Sequence, residues 1–362
     1  MSIIPQEVPT GAIRYNTDSN KMECFNGTKW MQVSVSSPDL NDNSTHNESG
    51  GSRAVFGGSY TYTGPYDKTN IIDYITIATT GNATDFGDLT ETRGPAGAGS
   101  SRTRGLFCGG DINPSPLKTS NVVDYITIAS TGNAVDYGDL TVKGGHGAAC
   151  MTNQTRLVLA GRNTQDPSNH PGNDLNNIDY TTIATTGNFI DFGDIDKPLY
   201  GISGCSNGIR GIISNGDEGP AYENTIKFIT IPTLGNSQDF GEATIKKSGP
   251  GACSSSTRGL IGGGYGNPTT YANVIDSIQI ATLGNASRFG ELTNSDNTRF
   301  QGCATDSVRG VWAGGYGPAP TYTVTNPIGY VNIATGGDAM DFGDLTAGAA
   351  HHQGFSNGHG GL

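Results

Sequence analysis

Two neighbouring phrases of the sequence decide the fold: Ile72-Asp-Tyr-Ile-Thr-Ile77 and Asp85-Phe-Gly-Asp-Leu-Thr90. The first is rich in β-branched and aromatic residues, which fit the pleated surface of a β-sheet. Its two alternating faces are both apolar, since Tyr74 and Ile75 project to opposite sides and isoleucines flank them. The pattern predicts a strand that is covered on both faces.

The second phrase marks an internal repeat of about 50 residues. Each copy also contains a small-residue segment, an arginine before an apolar run that ends in glycine, a variable loop, a β-branched run and a Gly-Asn or Gly-Asp pair. These runs predict four short strands in each copy, and Gly-Asn indicates a tight hairpin between the last two. The aromatic residue of the phrase falls at Phe86, Tyr137, Phe192, Phe240, Phe289 and Phe342.

Six copies of four strands, covered on both faces, predict an all-β protein with a six-bladed β-propeller. A linear solenoid would need polar capping repeats, and none is visible. The first copy starts at its arginine strand, Ser52-Arg-Ala-Val-Phe-Gly-Gly58, and lacks a small-residue strand. The last copy is followed by a spare one, Gly348-Ala-Ala-His-His-Gln-Gly354. We therefore expect the C-terminal segment to supply the innermost strand of the first blade and to close the ring.

The repeat resembles the kelch repeat. The features that carry the resemblance are the double glycine that ends the second strand, as in Cys108-Gly-Gly110, the third strand with its tyrosine, and an aromatic in the fourth strand where kelch has tryptophan. The resemblance implies a propeller over residues 52–362. It implies no function, because the same fold carries both binding proteins and enzymes.

The first 37 residues do not repeat and predict a three-stranded β-meander, followed by a polar linker over 38–51. So small a sheet cannot bury enough apolar surface to be stable alone. We expect it to dock on a partner or on copies of itself through Ile13, Tyr15, Phe25 and Trp30.

This segment resembles one found at the N-termini of tail-fibre and other virion proteins of tailed phages. The residues concerned are Pro9-Thr-Gly-Ala-Ile-Arg-Tyr-Asn-Thr-Asp18 and Phe25-Asn-Gly-Thr-Lys-Trp30. The repeats likewise resemble those of structural proteins from marine, especially cyanobacterial, phages. The resemblance implies a virion appendage that is made in the host cytoplasm. It implies attachment to other virion proteins through the N-terminal segment, as a homotrimer.

Composition excludes several other classes. The formal net charge of -12 disfavours binding to nucleic acid or to an anionic membrane. No apolar run is long enough for a membrane span, and no secretory signal is visible. The six cysteines form no C-x-x-C pair and indicate reduced thiols, and no cofactor is expected.

Several repeated polar residues admit a structural and a functional interpretation. An arginine opens the second strand of every copy, and an acid follows the glycine of every last strand. We expect a structural arginine–carboxylate bond in each blade, with a ring of anion sites or a Ca²⁺ site as the alternatives. We predict that each arginine bonds a carboxylate or a backbone carbonyl inside the propeller and does not lie on the loop face. The arginines are Arg53, Arg104, Arg156, Arg210, Arg258 and Arg309, and the acids are Asp88, Asp139, Asp194, Glu242, Glu291 and Asp344.

Cysteine and histidine give no clear metal site. Cys150, Cys205, Cys253 and Cys303 fall in the innermost strands, where small buried residues are expected and a channel metal site is the alternative. His351 and His352 are adjacent on a predicted strand, so they would point to opposite faces. His146 and His359 are isolated in the sequence. No nucleophile or acid–base motif is present, so we expect a protein that is not an enzyme.

The loops between the second and third strands vary most between copies and are rich in tyrosine. Tyrosines on variable loops of a rigid scaffold suit recognition of a host-surface glycan or protein. A purely structural or decorating virion component and a polysaccharide-degrading propeller remain as alternatives. The loops predicted are 59–70, 111–121, 162–177, 217–225, 265–274 and 316–327, and the candidate binding residues are Tyr62, Tyr66, Tyr222, Tyr265, Tyr271, Tyr316 and Tyr322.

Overall fold

The protein is all-β, as its sequence predicts. In the computed structural model the described residues are 9–16, 21–32, 52–61, 67–112, 118–164, 174–218, 221–266, 270–293, 298–317 and 323–362. Every regular element within these ranges is a β-strand, and none of them contains a helix able to cross a membrane. The chain divides into two compact units, Met1–Thr45 and His46–Leu362. The predicted linker, 38–51, lies outside the described residues.

The N-terminal unit is one antiparallel sheet in the order β1 (Ile13–Asn16), β2 (Lys21–Phe25), β3 (Trp30–Gln32). Asn26 closes the β2–β3 turn, because its side-chain oxygen accepts hydrogen bonds from the backbone N–H groups of Thr28 and Lys29. The guanidinium of Arg14 lies 4.1 Å from the centre of the Trp30 ring and pairs with Glu23.

Six sheets with the same arrangement of four strands form most of the described part of the C-terminal unit. All strand pairs are antiparallel, from an inner strand through a second and a third to an outer strand. Sheet 1 is β33 (Gln353–Ser356), β4 (Arg53–Tyr60), β5 (Lys68–Thr76), β6 (Thr84–Asp88); sheet 2 is β8 (Gly97–Ser100), β9 (Arg104–Ile112), β10 (Lys118–Thr127), β11 (Val135–Asp139); sheet 3 is β12 (Ala149–Thr152), β13 (Arg156–Asn163), β14 (Asp174–Thr182), β15 (Ile190–Asp194). Sheet 4 is β16 (Ser203–Ser206), β17 (Arg210–Ser214), β20 (Thr225–Thr230), β21 (Gln238–Glu242); sheet 5 is β23 (Gly251–Ser254), β24 (Arg258–Gly262), β27 (Val274–Gln279), β28 (Ser287–Glu291); sheet 6 is β29 (Gly302–Thr305), β30 (Arg309–Tyr316), β31 (Val324–Asn332), β32 (Met340–Asp344).

Further short strands lie outside this four-strand arrangement. β7 (Arg93–Gly94) adds to β9, while β18 (Asp217–Glu218) pairs with β19 (Ala221–Tyr222). A further small sheet has the order β22 (Lys247–Ser248), β25 (Tyr265–Gly266), β26 (Thr270–Tyr271). The predicted second-to-third loops are therefore wrong in extent, because strands run well into them.

The C-terminal strand β33 pairs with β4, so the last residues of the chain complete the sheet of the first copy. The pairing was expected from the sequence, but the strand lies later than the segment 348–354 that carried the prediction. His351 and His352 precede the strand, and His351 has a left-handed backbone with φ 54°. The argument that strand alternation separates these two histidines is therefore wrong.

Each outer strand carries the predicted bulge. In sheet 1 the register with β5 shifts beside Ile72, which leaves Phe86 as the extra residue. Gly87 has φ 148°, and a Cβ there would lie 2.5 Å from the carbonyl oxygen of Gly132 in sheet 2. The glycine is required by this close approach between sheets.

The Gly-Asn pair joins neighbouring sheets, so its interpretation as a tight hairpin is wrong. The connection from β5 to β6 spans residues 77–83, and Gly-Asn lies within it. Between sheets 1 and 2, Gly132 N–H donates to the Phe86 carbonyl at 2.8 Å, and Asn133 Oδ1 accepts from the Asp88 N–H at 3.1 Å. Equivalent bonds occur at all six junctions of successive copies, including sheet 6 with sheet 1.

The six repeated arginines form a second set of bonds between sheets. Arg104 rests on the ring of Tyr125 in its own sheet, with 4.4 Å to the centroid, and donates to the carbonyls of Ile183 and Ala184 in sheet 3. The prediction that each arginine bonds a carboxylate or a backbone carbonyl is confirmed, but the favoured carboxylate partner is wrong. Every one of these arginines bonds a carbonyl of the next sheet. The acceptors are Ile128 for Arg53, Ile183 for Arg104, Ile231 for Arg156, Ile280 for Arg210, Ile333 for Arg258 and Ile77 for Arg309.

Side-chain volumes of adjacent inner and second strands compensate each other. The third residue of an inner strand packs on the second strand of the next sheet. Phe355 covers Gly105, whereas Gly99 faces Leu157. The same exchange pairs Met151 with Gly211, Cys205 with Gly259 and Cys253 with Gly310. This complementarity accounts for the small residues of the inner strands, because close packing leaves room for one large side chain per contact.

Candidate functional site

Eight rings gather where the second strands of the C-terminal unit end and the inner strands begin. These two points lie at the same end of an antiparallel sheet, so the rings come from the same end of several sheets. We call the eight residues the aromatic cluster: Tyr60, His146, Tyr200, Tyr222, Tyr265, Phe300, Tyr316 and His351.

The centre of the cluster is a stack of His351 on Phe300, with ring centroids 4.0 Å apart and planes 22° apart. The edge of His146 meets both rings, at 4.4 Å from His351 and 5.3 Å from Phe300. Tyr60 lies 4.6 Å from His351, and Tyr200 lies 6.1 Å from His146. Rings from sheets 1 and 6 and from the segments before sheets 3 and 4 thus make one contact network.

The stacked pair occupies strained backbone. Phe300 and His351 each lie two residues before an inner strand and have φ 56° and 54°. The corresponding residues of sheets 3, 4 and 5 are Gly147, Gly201 and Gly249, which also have positive φ. A side chain in this conformation costs roughly 1–2 kcal/mol relative to glycine. Two copies therefore bear large rings where local structure favours glycine, which indicates that the rings themselves are needed.

Arg299, beside the stack, lies among three rings. Its guanidinium carbon is 5.3 Å from the centroids of Tyr265, Phe300 and Tyr316 alike. Backbone bonds in both directions between Arg299 and Tyr316 hold it there. Its Nε is buried without a hydrogen-bond partner.

Three aspartates lie near the rings and differ in their electrostatics. Asp111 is fully buried and accepts hydrogen bonds from the Tyr60 hydroxyl and from His146 Nδ1, the latter at 2.6 Å. Burial acts to raise the pKa of Asp111, but the His146 charge and these hydrogen bonds outweigh it and lower the pKa. Burial and the charge of Asp217 raise the pKa of Asp174 to about 6. Burial also raises the pKa of Asp217, against a hydrogen bond from Tyr200 and the charge of Arg299.

The predicted binding tyrosines have different outcomes. Tyr222, Tyr265 and Tyr316 are half-buried members of the aromatic cluster, and Tyr222 meets Tyr265 edge-on with centroids 5.8 Å apart. Tyr271 lies on β26 opposite Tyr265, and its side chain is outside the described residues. Tyr62, Tyr66 and Tyr322 also lie outside the described residues.

The structure adds residues that the sequence interpretation missed. His146 was considered isolated, yet it contacts Asp111 and four rings. A comparison of the six copies three residues before each inner strand would have revealed the signal, since this position holds Gly94, His146, Tyr200, Ser248, Arg299 and Ala350. Large polar side chains occur there in some copies only, unlike the structural residues that recur in nearly every copy.

The N-terminal candidates lie on two faces of their sheet. Ile13 and Tyr15 are 64% and 56% exposed, and they alternate with Arg14 on the opposite face. Phe25 and Trp30 are half-buried against each other, with ring centroids 5.4 Å apart. The exposed apolar face therefore centres on Ile13, Tyr15 and Met31.

A cavity of about 100 Å³ lies among the inner strands. The predicted cysteines Cys150, Cys205, Cys253 and Cys303 line it, and all are free thiols. Burial raises the pKa of Cys205 to about 12 and raises those of the other three. Protonated thiols are poor nucleophiles and metal ligands. Within the described residues, no group of three His, Cys, Asp or Glu side chains is arranged to hold a metal.

His359 lines the same cavity on the side opposite the cluster. It is not isolated, because its Nε2 lies 2.8 Å from the Ser100 carbonyl and 3.1 Å from Thr152 Oγ1, while its Nδ1 accepts the Gly361 N–H. These contacts require a neutral ring that carries its proton on Nε2. Burial lowers the pKa of His359 to about 4, which maintains that neutral form.

No known protein-family model matches the chain, and no curated protein matches it either. Its chemistry must therefore be inferred from its own residues.

Proposed function

We propose that the C-terminal unit is a closed, six-bladed, kelch-like β-propeller whose aromatic cluster binds a host-surface glycan. Two repeated sets of bonds support closure, since the Gly-Asn bonds and the arginine bonds both connect sheet 6 to sheet 1. Completion of sheet 1 by β33 supports it as well. A closed ring has no open sheet edge and forms a rigid base for recognition.

The observation that carries the binding proposal is the strained stack of Phe300 and His351 among half-buried tyrosines. Flat aromatic faces bind the apolar faces of sugar rings, and the polar groups at their rims bind hydroxyls. Asp174, Tyr200 and Arg299 supply such groups within or beside the cluster. A cluster that served packing alone would not need rings at two positions that favour glycine.

We propose further that the protein is a phage virion appendage, held to other virion proteins by its N-terminal unit as a homotrimer. The resemblance of residues 9–18 and 25–30 to tail-fibre segments supports this, and so does the exposed face of Ile13, Tyr15 and Met31. A small sheet with an uncovered apolar face needs a second layer.

A bacterial-polysaccharide array tests the binding proposal. We expect the full-length protein to bind a subset of glycans and Tyr265→Ala to lose at least about tenfold in affinity, the effect of one stacked ring. Leu283→Ala, at a 61% exposed residue of the connection between β27 and β28, is the control and should bind as wild type. Equal binding by both variants, or no binding by the wild type, would favour a purely structural virion component.

The mass of the full-length protein in solution tests attachment. We expect a trimer that dissociates in Ile13→Asp/Tyr15→Asp, and a folded monomer for residues 52–362 alone. If either altered protein keeps the oligomeric state of the wild type, the interface lies in the propeller and not in the N-terminal unit.

A polysaccharide-degrading enzyme is the second candidate, favoured by one observation. Asp174, with its pKa near 6, lies in the field of Asp217, which accepts a hydrogen bond from Tyr200. Two carboxylates with separated protonation are the usual pair for glycoside hydrolysis. Loss of chain length in any glycan that the protein binds, abolished by Asp174→Asn, would identify this activity.

A further inference from the structure

Arg299 differs from the other arginines of the C-terminal unit. Each of the others that is at least partly buried donates to an oxygen of the protein. Arg93 bonds Asp124 at 2.9 Å and Arg162 bonds Asp179 at 2.8 Å. Among the described residues, no carboxylate lies within ion-pair distance, 4.0 Å, of Arg299, and no hydrogen bond from its guanidinium occurs.

The three aspartates near the aromatic cluster are engaged elsewhere. Asp111 accepts from His146 and from Tyr60, and Asp174 accepts from Asn163 Nδ2 at 3.3 Å. Asp217 accepts a hydrogen bond from Tyr200, and its interaction with Arg299 is a longer-range electrostatic attraction without an ion pair. The cation is therefore balanced by no direct partner among these groups.

The rings around Arg299 determine how a ligand could reach it. The guanidinium carbon lies at equal distances from the rings of Tyr265, Phe300 and Tyr316, and its Nε has no hydrogen-bond partner. A ligand would therefore bind through the N–H edge of the guanidinium. The N–H edge of a guanidinium matches the two oxygens of a carboxylate. The two tyrosines beside it supply faces for the sugar ring that bears the carboxylate.

We propose that Arg299 binds the carboxylate of an acidic sugar, a hexuronic acid or similar residue, within the glycan that occupies the aromatic cluster. The inference rests on the proposed glycan-binding function and names its ligand class. It also accounts for an arginine at a position that holds glycine, alanine or serine in three other copies.

The test uses the full-length protein and two sets of probes in isothermal titration. One set comprises hexamers of mannuronic, galacturonic and glucuronic acid, and the other the same hexamers with their carboxyl groups reduced to alcohols. We expect at least one acidic hexamer to bind, and its reduced counterpart to bind at least about 20-fold more weakly, as the loss of a charge-assisted bidentate contact requires.

Arg299→Gln should weaken binding of the acidic hexamer by a similar factor and leave the reduced hexamer unaffected. The affinity of Arg299→Lys for the acidic hexamer should lie between those of wild type and Arg299→Gln, because lysine keeps the charge and loses the bidentate geometry. Arg288→Gln, an exposed arginine of β28, is the control and should bind as wild type. Unchanged melting temperatures would show that the variants are folded.

Three outcomes would overturn the inference. They are equal binding of acidic and reduced hexamers, equal binding by wild type and Arg299→Gln, and no acidic hexamer bound by the wild type. If neutral glycans still bind and Tyr265→Ala still abolishes their binding, the proposed function stands and only the carboxylate assignment fails. If no glycan of either kind binds, both fail.

Discussion

Replacement of Phe355 by alanine tests the junction between the C-terminal strand and the rest of the unit. Phe355 is 4% exposed and lies on β33. Its ring packs over Gly105 and lies 5.0 Å from the ring of Phe107, so it joins sheet 1 to sheet 2. Because the neighbour beneath the ring is a glycine, it has no side chain that could fill the space that the ring would leave.

The expected cost is about 3–5 kcal/mol, the usual range for truncation of a buried phenylalanine. A unit of about 310 residues unfolds with an entropy near 0.65 kcal/mol/K, so the melting temperature should fall by about 5–8 °C. Phe355→Leu keeps most of the volume and should cost less than half as much. Truncation after Ala347 removes the whole strand and should abolish cooperative unfolding at the wild-type temperature.

Circular dichroism at 218 nm or differential scanning calorimetry measures these shifts. If Phe355→Ala, Phe355→Leu and the truncated chain all melt within about 1 °C of wild type, the strand does not hold the first and second sheets together.

Three further perturbations test the contacts between sheets and their pH dependence. Gly87→Ala should destabilise the protein by about 3 kcal/mol or more, because its Cβ would meet the Gly132 carbonyl. The control Gly81→Ala has a similar φ of 157° but open space around it, and should cost only about 1–2 kcal/mol. Equal losses for the two variants in urea unfolding would refute the close-approach argument. Arg309→Met removes the bonds to Ile77 and Ala78 and should lower the free energy of unfolding by about 1.5–3 kcal/mol. The control Arg288→Met should unfold as wild type in chemical denaturation. No loss of stability in Arg309→Met would mean that the arginine bonds are dispensable. Below pH 6.5 the unfolded chain protonates His359, whereas the folded chain does so only near pH 4, so the free energy of unfolding should fall by about 3 kcal/mol across this window. His359→Gln should remove this loss from the difference in stability between pH 7 and pH 4. A pH dependence identical to that of wild type would contradict the buried neutral ring.

The repeat carried most of the fold prediction because its structural residues recur. Six copies of one phrase showed the strand order, the bulge at Gly87 and the pairing of the last strand with the first copy. The Gly-Asn pair was misinterpreted because its local signal is the same whether it turns a hairpin or contacts a neighbouring sheet. For Arg104 the sequence predicted a carboxylate or a backbone carbonyl as partner and favoured the carboxylate, since a backbone carbonyl leaves no mark in the sequence.

The candidate site was predicted only in part. Tyr222, Tyr265 and Tyr316 were found from the tyrosine content of variable loops. His146, Arg299 and His351 come from different copies and meet only through the arrangement of the sheets, so their proximity is a tertiary property. Sequence position gives no distance between residues that lie more than 50 apart along the chain.

Hydrogen exchange on β33 tests the central claim, closure of the ring, most directly, because this strand joins the C-terminal residues to sheet 1. The amides of Gly354–Ser356 on β33 should exchange within about tenfold of those of Cys303–Thr305 on β29, since both inner strands are then bonded on a closed unit. Complete exchange of β33 within a minute, with β29 still protected, would show an open ring and contradict the account.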